Sequence, residues 1–545
     1  MRLIIPAAKI VPEELQMIGK LPGIIYPINK KIVFDYLYEQ YKKIVTSFDI
    51  VCYENYESVE RYLSRYKDER INIQVLSELR DLGYTIYQSI KEIEDSVIIN
   101  FSDTIVLDNI FDCVEDSFFC QKEYMSETWT YFDDQNGVIT DIYDKTSANS
   151  EQEKKFFVGV FKFSDSKFLK ECLEKAFENK DRKINSFYYA LQLYSQHIPM
   201  QAVMTDNWFD IGHVDNYYNS QLEVKAREFN HITIDKDRGI LRKTSDEREK
   251  FIGEIEWYLK LPSDVEYVRP RIFDYSTSYE FPFVTMEYYA YHTLHELFLY
   301  GDLSLQQWTD VFNRIRFVCR DFKRYCLRDK GITLALEDMY LTKTMQRFEI
   351  LRRDSRFSAF FDKTIKVNGS LFPSLNKIES MLQRVVPELL YDVDTFVIIH
   401  GDLCFTNILV DSNFSFIKLI DPRGKFGNYD IYGDERYELA KLLHSIDGKY
   451  DYIIKDLFDV SYSYDLDTIN INYTIHNSNK KYDLYKLFCE IFKAEIGNHI
   501  KKIELIEALL FFSMIPLHNE SFDQQMVMLG TGLEIFNRVV IKSNS

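Results

Sequence analysis

Two adjacent stretches, residues 397–410 and 416–424, carry Asp402, Asn407 and Asp421 at the ends of short apolar runs. The runs predict two neighbouring strands joined by a polar loop, so the three side chains should converge where the strands end. A carboxylate at such a point can orient and deprotonate an attacking hydroxyl, and the other oxygens are hard ligands suited to Mg²⁺. The pattern therefore predicts a phosphoryl-transfer site, against the alternative of an ordinary buried hairpin with polar turn residues.

The spacing Asp402-x-x-x-x-Asn407, with Asp421 on the next strand, resembles the catalytic loop and metal-binding motif of protein kinases. Here His-Gly-Asp stands in place of His-Arg-Asp, and Asp-Pro-Arg-Gly in place of Asp-Phe-Gly. This variant resembles the aminoglycoside phosphotransferase/choline kinase family, which phosphorylates small molecules. The resemblance covers roughly residues 228–545. It implies a bilobal, protein-kinase-like α+β domain that uses ATP and Mg²⁺, with Asp402 as base and Asn407 and Asp421 as metal ligands.

The same resemblance implies that residues 226–290 form the N-terminal lobe. Lys243, on the second of two predicted strands, stands where the family has the lysine that contacts the ATP phosphates. Glu254, on the helix predicted next, is the expected partner of that lysine, and Glu249 and Glu256 are the alternatives.

A later predicted strand, residues 282–289, resembles the hinge of that family. Backbone groups of Met286, Glu287 and Tyr288 would then line the adenine pocket, and the alternative is an interior strand without that role. The resemblance implies that residues 291–545 form the C-terminal lobe.

The predicted C-terminal lobe is rich in helices. Apolar residues recur at helical spacing in residues 303–325, 334–353 and 371–390. His400 is expected to hold the loop in shape through backbone hydrogen bonds. Arg423 and Lys425 are expected either to meet phosphate or substrate or to be solvated. Asp434 and Glu435 are candidates for an acidic residue that braces the catalytic loop.

Strands alternate with helices at the start of the chain. The predicted strands are residues 2–8, 47–53, 71–76 and 96–103, and the predicted helices are residues 34–43, 58–66 and 85–93. This alternation predicts an α/β fold with a mostly parallel, doubly wound sheet. Ligands bind such sheets at the carboxyl ends of strands, where Ala8 and Asp103 would both lie.

Residues 1–225 resemble sugar-phosphate nucleotidyltransferases, which have a Rossmann-like fold related to GT-A glycosyltransferases. The matching segments are residues 5–8, 21–28, 82–85, 102–103, 158–163 and 208–217, in order. The resemblance implies that Asp103 and Asp210 are metal carboxylates. It also implies a substrate-contacting role for Lys145, after a hairpin that turns at Asn136-Gly137. The alternative for each is a solvated loop residue.

The nucleotide loop departs from that family. The family has Gly-x-Gly-Thr-Arg, which lets backbone N–H groups approach a triphosphate. Residues 8–16 contain no glycine and two glutamates. The catalytic lysine of the family falls on Gly23, although Lys20 or Lys9 could substitute. An active domain and a silent or retasked domain therefore both remain open.

Composition narrows the class of protein. The formal net charge of −19 argues against nucleic acid or an anionic membrane as the main partner. Eight cysteines without a Cys-x-x-Cys pair are typical of free thiols in a reducing compartment. The apolar run at the start of the sequence is too short for a signal peptide. No stretch approaches the roughly 20 consecutive apolar residues that a membrane-spanning helix needs. A cytoplasmic protein without membrane insertion is expected.

The functional hypothesis is an ATP- and Mg²⁺-dependent kinase for a hydroxyl of a sugar, polyol or amino alcohol, fused to a nucleotidyltransferase-like domain. Its partners would be a nucleotide and a small-molecule acceptor, in capsule or other surface-polysaccharide biosynthesis by analogy of folds. A polar helix over residues 217–228 would join the domains. The alternatives are a bifunctional enzyme that makes a nucleotide-activated sugar or alcohol, and a nucleotide- or glycan-binding scaffold. The His-Gly-Asp form argues against a protein kinase.

Overall fold

The computed structural model describes residues 1–28, 31–145, 153–213, 230–235, 237–477 and 481–541. The chain is a mixed α/β protein. It divides into two compact units, Met1–Glu223 (unit 1) and Val224–Ser545 (unit 2). The helix predicted over residues 217–228 lies outside the described residues. None of the helices in the described ranges is long and apolar enough to span a bilayer.

Unit 1 contains the first thirteen strands and the first five helices of the described chain. The strands are β1 Arg2–Ala7, β2 Pro27–Ile28, β3 Lys31–Ile32, β4 Phe48–Cys52, β5 Ile71–Val75, β6 Val97–Asn100, β7 Thr104–Val106, β8 Ser117–Tyr124, β9 Thr130–Gln135, β10 Val138–Asp144, β11 Glu153–Phe163, β12 Gln201–Met204 and β13 Trp208–Asp210. The helices are α1 Val33–Tyr41, α2 Tyr56–Leu63, α3 Leu82–Ile90, α4 Ser166–Glu178 and α5 Ser186–Ser195.

Nine of the described strands of unit 1 form one sheet in the order β10-β9-β11-β6-β1-β4-β5, with β8 on β11 and β12 on β8. Strands β6, β1, β4 and β5 run parallel, as the alternation of strands and helices predicts. The prediction of a mostly parallel sheet is wrong, because β11, β9, β10 and β8 add antiparallel pairs. The β9–β10 hairpin turns at Asn136 and Gly137, both with positive φ, as a two-residue turn requires.

Unit 2 contains the remaining described elements. Its strands are β14 Asn230–Asp235, β15 Ile240–Ser245, β16 Ile272–Ser276, β17 Phe283–Glu287, β18 His292–Thr293, β19 Cys326–Leu327, β20 Thr364–Val367, β21 Ser370–Phe372, β22 Phe396–Ile398, β23 Ile408–Val410, β24 Ile417–Leu419, β25 Tyr432–Gly433, β26 Phe458–Tyr464 and β27 Thr468–Ile475. Its helices are α6 Arg248–Lys260, α7 Leu294–Tyr300, α8 Leu305–Phe322, α9 Ile332–Leu336, α10 Lys343–Arg353, α11 Leu375–Leu390, α12 Glu435–Ile446, α13 Tyr450–Ile453, α14 Leu484–Ile491, α15 Lys493–Ile496, α16 Ile500–Met514 and α17 Phe522–Phe536.

Unit 2 begins with an antiparallel sheet in the order β14-β15-β17-β16, and helix α6 follows β15. The other elements of unit 2 include long helices, among which α16 and α17 are almost wholly buried. The helix predicted over residues 334–353 is interrupted by a π-helix at Glu337–Thr342. Residues 371–372 belong to β21 rather than to the predicted helix, and β21-β20-β27-β26 form a sheet that was not predicted.

The turn after β24 packs directly against α6. Gly424 has a φ of 77°, and a Cβ atom at this position would lie 2.3 Å from the carbonyl carbon of Gly253 and 2.8 Å from the amide nitrogen of Glu254. Contacts this short exclude any side chain. Gly424 therefore lets the loop that follows Asp421 approach the helix that carries Glu254.

Replacement of Gly424 by alanine should destabilise unit 2 by about 3 kcal/mol or more, because it adds a backbone clash to the strain of a left-handed φ. Gly369→Ala is the matched control. Gly369 has a φ of 86°, but a Cβ atom at this position would meet no other atom within 4 Å, so it should lose only about 1 kcal/mol. Urea unfolding of the full chain measures both values, and equal losses would contradict the packing argument.

Candidate functional site

In unit 2, the ammonium group of Lys243 is held by two carboxylates that are distant in sequence. Its Nζ donates to both oxygens of Glu254, at 2.8 and 2.9 Å, and to Oδ1 of Asp421 at 2.8 Å. Burial alone would lower the pKa of Lys243, but the charges of Asp421 and Glu254 more than reverse this and raise the pKa above its usual value. Lys243 therefore stays protonated at neutral pH.

One face of helix α6 makes the contacts that position this cluster. Trp257 Nε1 donates to the carbonyl of Ile399 at 2.7 Å, and Tyr258 Oη accepts the backbone N–H of Asp421 at 3.1 Å. Glu254 lies three and four positions before these aromatic residues, on the same side of the helix. This side of α6 thus connects the lysine of β15 to the loops before β23 and after β24.

The other two candidate glutamates lie elsewhere on α6. Glu256 pairs with Lys260 at 3.0 Å, and Glu249 is exposed, with Lys425 Nζ 4.0 Å away. Of the three candidates, Glu254 is the one that contacts the lysine of β15.

The segment predicted to bind adenine ends strand β17. Met286 is buried in this strand. The N–H of Glu287 donates to the carbonyl of Arg271, and the N–H of Tyr288 donates to the carbonyl of Gly239, both at 2.8 Å. Since both N–H groups are used within the protein, an adenine base would need other backbone groups of this segment.

His400 shapes the loop that carries Asp402. Its Nε2 donates to the carbonyl of Ile420 at 3.0 Å, and its Nδ1 accepts the backbone N–H of Asp402 at 3.3 Å. These partners assign the single ring proton to Nε2. Burial lowers the pKa of His400 to about 4, so the ring is neutral at neutral pH, as this pair of hydrogen bonds requires.

Asp402 is held from two sides. Lys441 Nζ lies 2.7 Å from Oδ1, and Asn407 Nδ2 donates to Oδ2 at 3.2 Å and to the carbonyl of Asp402 at 2.9 Å. Burial alone would raise the pKa of Asp402, but the charge of Lys441 and its hydrogen bond outweigh this and lower the pKa to about 2. Asp402 is therefore ionised at neutral pH and can accept a hydrogen bond from a hydroxyl.

Asn407 and Asp421 flank the hairpin of strands β23 and β24. The N–H of Ile420 donates to the carbonyl of Asn407 at 3.0 Å, which brings the two flanks together. Because Nδ2 of Asn407 donates to Asp402, Oδ1 is the acceptor atom of this amide, and it accepts one long hydrogen bond, of 3.4 Å, from Thr406 Oγ1. Asp421 adds a carboxylate and has a left-handed φ of 55°. Amide and carboxylate oxygens suit Mg²⁺, so these residues fit the predicted metal site.

Sequence reasoning missed Glu438. Its buried carboxylate accepts the backbone N–H groups of His400 at 2.8 Å and Gly401 at 2.9 Å. The two acids predicted to brace the loop have other partners. Asp434 pairs with Arg436, and Glu435 pairs with Lys323. All three acids lie at the start of one helix, and helical spacing alone does not tell which of them turns toward the loop.

Unit 1 has a cleft of about 350 Å³ at the edge of its sheet. Its lining includes Ala8 and Lys9 after β1, Asp103 after β6, Lys145 after β10, and Asp210 at the end of β13. This is the edge at which parallel strands end and where Ala8 and Asp103 were predicted to lie.

Asp103 and Asp210 face one small space within this cleft. A Cβ atom at Gly212 would lie 2.7 Å from Oδ2 of Asp103 and 3.0 Å from Oδ1 of Asp210. Burial, and then the charge of Asp210, raise the pKa of Asp103 to about 6. Asp210 also contacts Nδ1 of His213 at 2.7 Å. Within the described ranges, Asp103 has no lysine or arginine nitrogen within 4.0 Å.

Two carboxylates in this arrangement fit a divalent cation, whose charge would remove their mutual repulsion. Among the residues that the structure describes, no cluster of three or more His, Cys, Asp or Glu side chains is suited to a metal. A cation at Asp103 and Asp210 would therefore take its other ligands from phosphate and water.

The two glutamates of the glycine-free loop are not part of the lining of this cleft. Glu13 and Glu14 are exposed and do not line it, whereas Lys9 does. Gly23 stands where sugar-phosphate nucleotidyltransferases have their catalytic lysine, and it packs against Asp103. A Cβ atom at Gly23 would lie 3.3 Å from the Cβ of Asp103. These two glutamates therefore do not place negative charge in the lining of the cleft.

Asp103→Asn should stabilise unit 1 above pH 6. The pKa of Asp103 is raised from 3.8 to about 6 in the folded state, so the stability that its bound proton contributes is lost as the pH rises through this range. The amide avoids this loss and should raise the unfolding free energy at pH 8 by about 1–3 kcal/mol. Urea unfolding of the full chain, followed by hydrogen exchange of unit 1 peptides, measures the change.

Asp141→Asn, at an exposed position of β10, is the control and should leave the stability unchanged. Mg²⁺ should stabilise the wild-type protein and not Asp103→Asn. A variant less stable than wild type at pH 8 would show that the carboxylate of Asp103 does not destabilise the fold.

No protein-family model and no curated protein matches the chain. Among solved structures, its N-terminal part is similar to nucleotidyltransferases. The CTP:phosphocholine cytidylyltransferase from Streptococcus pneumoniae is 13% identical with a TM-score of 0.34, over 40% of this chain and 97% of that chain. The inositol-1-phosphate CTP transferase from T. maritima is 15% identical with a TM-score of 0.32, over 41% and 98%.

A nucleoside-diphosphate-sugar pyrophosphorylase from Vibrio cholerae RC9 is 13% identical with a TM-score of 0.33, over 40% of this chain and 99% of that chain.

Proposed function

We propose that unit 2 transfers the γ-phosphoryl group of ATP to a hydroxyl group of a small molecule in the presence of Mg²⁺. The observation that supports this most directly is the position of Lys243, whose ammonium group touches both Glu254 and Asp421. In enzymes of the protein-kinase type, the lysine that binds phosphate needs a helix glutamate to hold it and a neighbouring aspartate to bind the metal. This chain offers that combination.

The carboxylates of Asp421 and Glu254 differ in solvent exposure, and this difference indicates different roles. The side chain of Asp421 is 41% exposed and that of Glu254 is 10% exposed. Asp421 is therefore the carboxylate that a metal ion can reach, and Glu254 is the one that keeps Lys243 in place. Asp421 and Asn407 would hold Mg²⁺, which neutralises charge on the phosphates when it is bound. Lys243 would then donate to phosphate oxygens.

Asp402 would orient the attacking hydroxyl. With a pKa of about 2, it is a weak base, but phosphoryl transfer through a loose transition state depends mainly on positioning and on charge stabilisation. Lys441 and Asn407 hold its carboxylate. The reacting hydroxyl therefore meets an acceptor whose direction is already set.

For unit 1 we propose binding of a nucleoside triphosphate with Mg²⁺. The supporting observation is the Asp103–Asp210 pair, which shares its cleft with Lys9 and Lys145. The carboxylates would hold the metal and the lysines would meet phosphate. Unit 1 would either transfer a nucleotidyl group to a phosphorylated sugar or alcohol, or bind a nucleotide or glycan without turnover. Surface-polysaccharide or capsule biosynthesis in the cytoplasm is the proposed setting, by analogy of folds.

Replacement of Lys243 by methionine should lower acceptor-dependent formation of ADP by about 100-fold or more, because one preorganised donor to the phosphates is lost. The measurement uses the full chain with ATP, Mg²⁺ and a panel of sugars, polyols, amino alcohols and their acidic derivatives. Lys250→Met is the control, since Lys250 is exposed on α6 and pairs with Glu247, and it should retain wild-type activity. Absence of acceptor-dependent ADP in the wild type, or equal rates in wild type and Lys243→Met, would refute the proposal.

A further inference from the structure

Basic side chains gather around the carboxylate of Asp402. Lys441 contacts Asp402 directly at 2.7 Å. The charges of Arg423, Lys441 and Arg347 all act on Lys343, and the charge of Asp402 acts on it as well. Of these residues, Lys441 and Arg423 also act on the charge of Asp402. We refer to Lys343, Arg347, Arg423 and Lys441, which come from three segments of unit 2, as the basic cluster.

The fold holds Arg423 against the loop of Asp402. Its backbone N–H donates to the carbonyl of His400 at 3.0 Å. A Cβ atom at Gly401 would lie 2.8 Å from the Cβ of Arg423. Its guanidinium donates to Tyr437 Oη at 2.8 Å. Arg423 can therefore lie this close to the loop only because residue 401 has no side chain.

The fold also brings Lys343 close to Arg423 and Lys441. Lys343 begins α10 directly after the π-helix Glu337–Thr342, a type of helix distortion that occurs often at functional sites. Within the π-helix, Tyr340 Oη donates to Asp434 at 2.8 Å. Asp434 caps α12, the helix that carries Lys441. Arg347 lies one turn after Lys343 on the same face of α10.

The charges of this cluster are not balanced by the protein. Within the described part of the chain, Lys343, Arg347 and Arg423 have no carboxylate oxygen within 4.0 Å, and Lys441 already pairs with Asp402. Burial, and then the charges of Arg423, Lys441 and Arg347, lower the pKa of Lys343 to about 6, so Lys343 is mostly neutral at pH 7. An anion that joins the cluster would compensate the charges of Arg347 and Arg423 and would favour the protonated form of Lys343.

The cluster is distinct from the residues proposed to hold the triphosphate. The charges that act on Lys243 are those of Asp421 and Glu254, whereas the carboxylate that acts on Lys343 is that of Asp402. Asp402 is the residue proposed to meet the acceptor. The basic cluster therefore lies on the side of the acceptor rather than on that of the proposed phosphate-binding lysine.

We propose that the acceptor is an anion: a hydroxyl compound that also bears a phosphate or carboxylate group, bound by Lys343, Arg347 and Arg423. This inference rests on the proposed phosphoryl transfer in unit 2. The acceptor hydroxyl oxygen forms a bond to the γ-phosphorus as the bond from that phosphorus to the ADP oxygen breaks, and the hydroxyl proton passes to Asp402. Among the acceptors predicted from the sequence, cationic amino alcohols are disfavoured.

The first test compares acceptors that share a carbon skeleton but differ in charge. The two series are glucose, glucosamine, glucuronate and glucose 6-phosphate, and glycerol, 3-amino-1,2-propanediol, glycerate and glycerol 3-phosphate. With the full chain, ATP and Mg²⁺, the acidic members should exceed the neutral and cationic members of their series in kcat/KM by about 100-fold. A preference for neutral or cationic members would overturn the inference but leave the proposed kinase function intact. Absence of transfer to every compound would overturn both.

The second test assigns the anion to the basic cluster. Arg347→Gln and Lys343→Met should each raise the KM of the best acidic acceptor about 10-fold or more, with the KM of ATP unchanged. Arg353→Gln is the control on the same helix, because Arg353 is exposed at the other end of α10, and it should match wild type. Urea unfolding of each variant excludes misfolding. If the KM of ATP rises instead, or if the acceptor KM does not change, the cluster does not bind the acceptor.

Discussion

The ammonium group of Lys243 lies inside unit 2, and the structure around it depends on the two carboxylates that compensate its charge. Glu254 reaches it from α6 and Asp421 from the loop after β24. Removal of one partner from a buried ion pair commonly costs about 3–5 kcal/mol, because the other charge is left uncompensated. The close approach of Gly424 to Gly253 keeps the two partners together. One electrostatic requirement thus determines how the sheet, the helix and the loop are arranged.

The loop of Asp402 is held by neutral and backbone hydrogen bonds rather than by further ion pairs. His400 is neutral and links the carbonyl of Ile420 to the N–H of Asp402, and Glu438 accepts two backbone N–H groups of the same loop. Fully satisfied buried polar groups make a loop rigid. The carboxylate of Asp402 can therefore be the charged group that faces a substrate, with Lys441 beside it.

Much of the site geometry was predictable because it follows from local periodicity. The sequence predicted correctly that Asp402, Asn407 and Asp421 lie at the ends of short strands. The prediction that two neighbouring strands carry them is wrong, because Asp402 follows β22, which pairs with β19 and β25, whereas Asn407 and Asp421 flank the β23–β24 hairpin. Helical spacing placed three glutamates on α6, but only the three-dimensional packing decides that Glu254 faces the lysine. The basic cluster brings together residues nearly a hundred positions apart, and no sequence periodicity encodes that contact. The mixed sheet of unit 1 was missed for the same reason, since the pairing of distant strands is a long-range choice.

We propose that Asp402 acts in phosphoryl transfer and not in the binding of nucleotide. The most direct measurement compares wild type and Asp402→Asn for the Kd of ATP with Mg²⁺, by calorimetry, and for the rate of phosphoryl transfer to an accepted substrate. The Kd of ATP should stay unchanged within about twofold, and the transfer rate should fall by about 10²–10⁴-fold. Transfer at the wild-type rate, or a loss of ATP binding that explains the lower rate, would contradict this proposal.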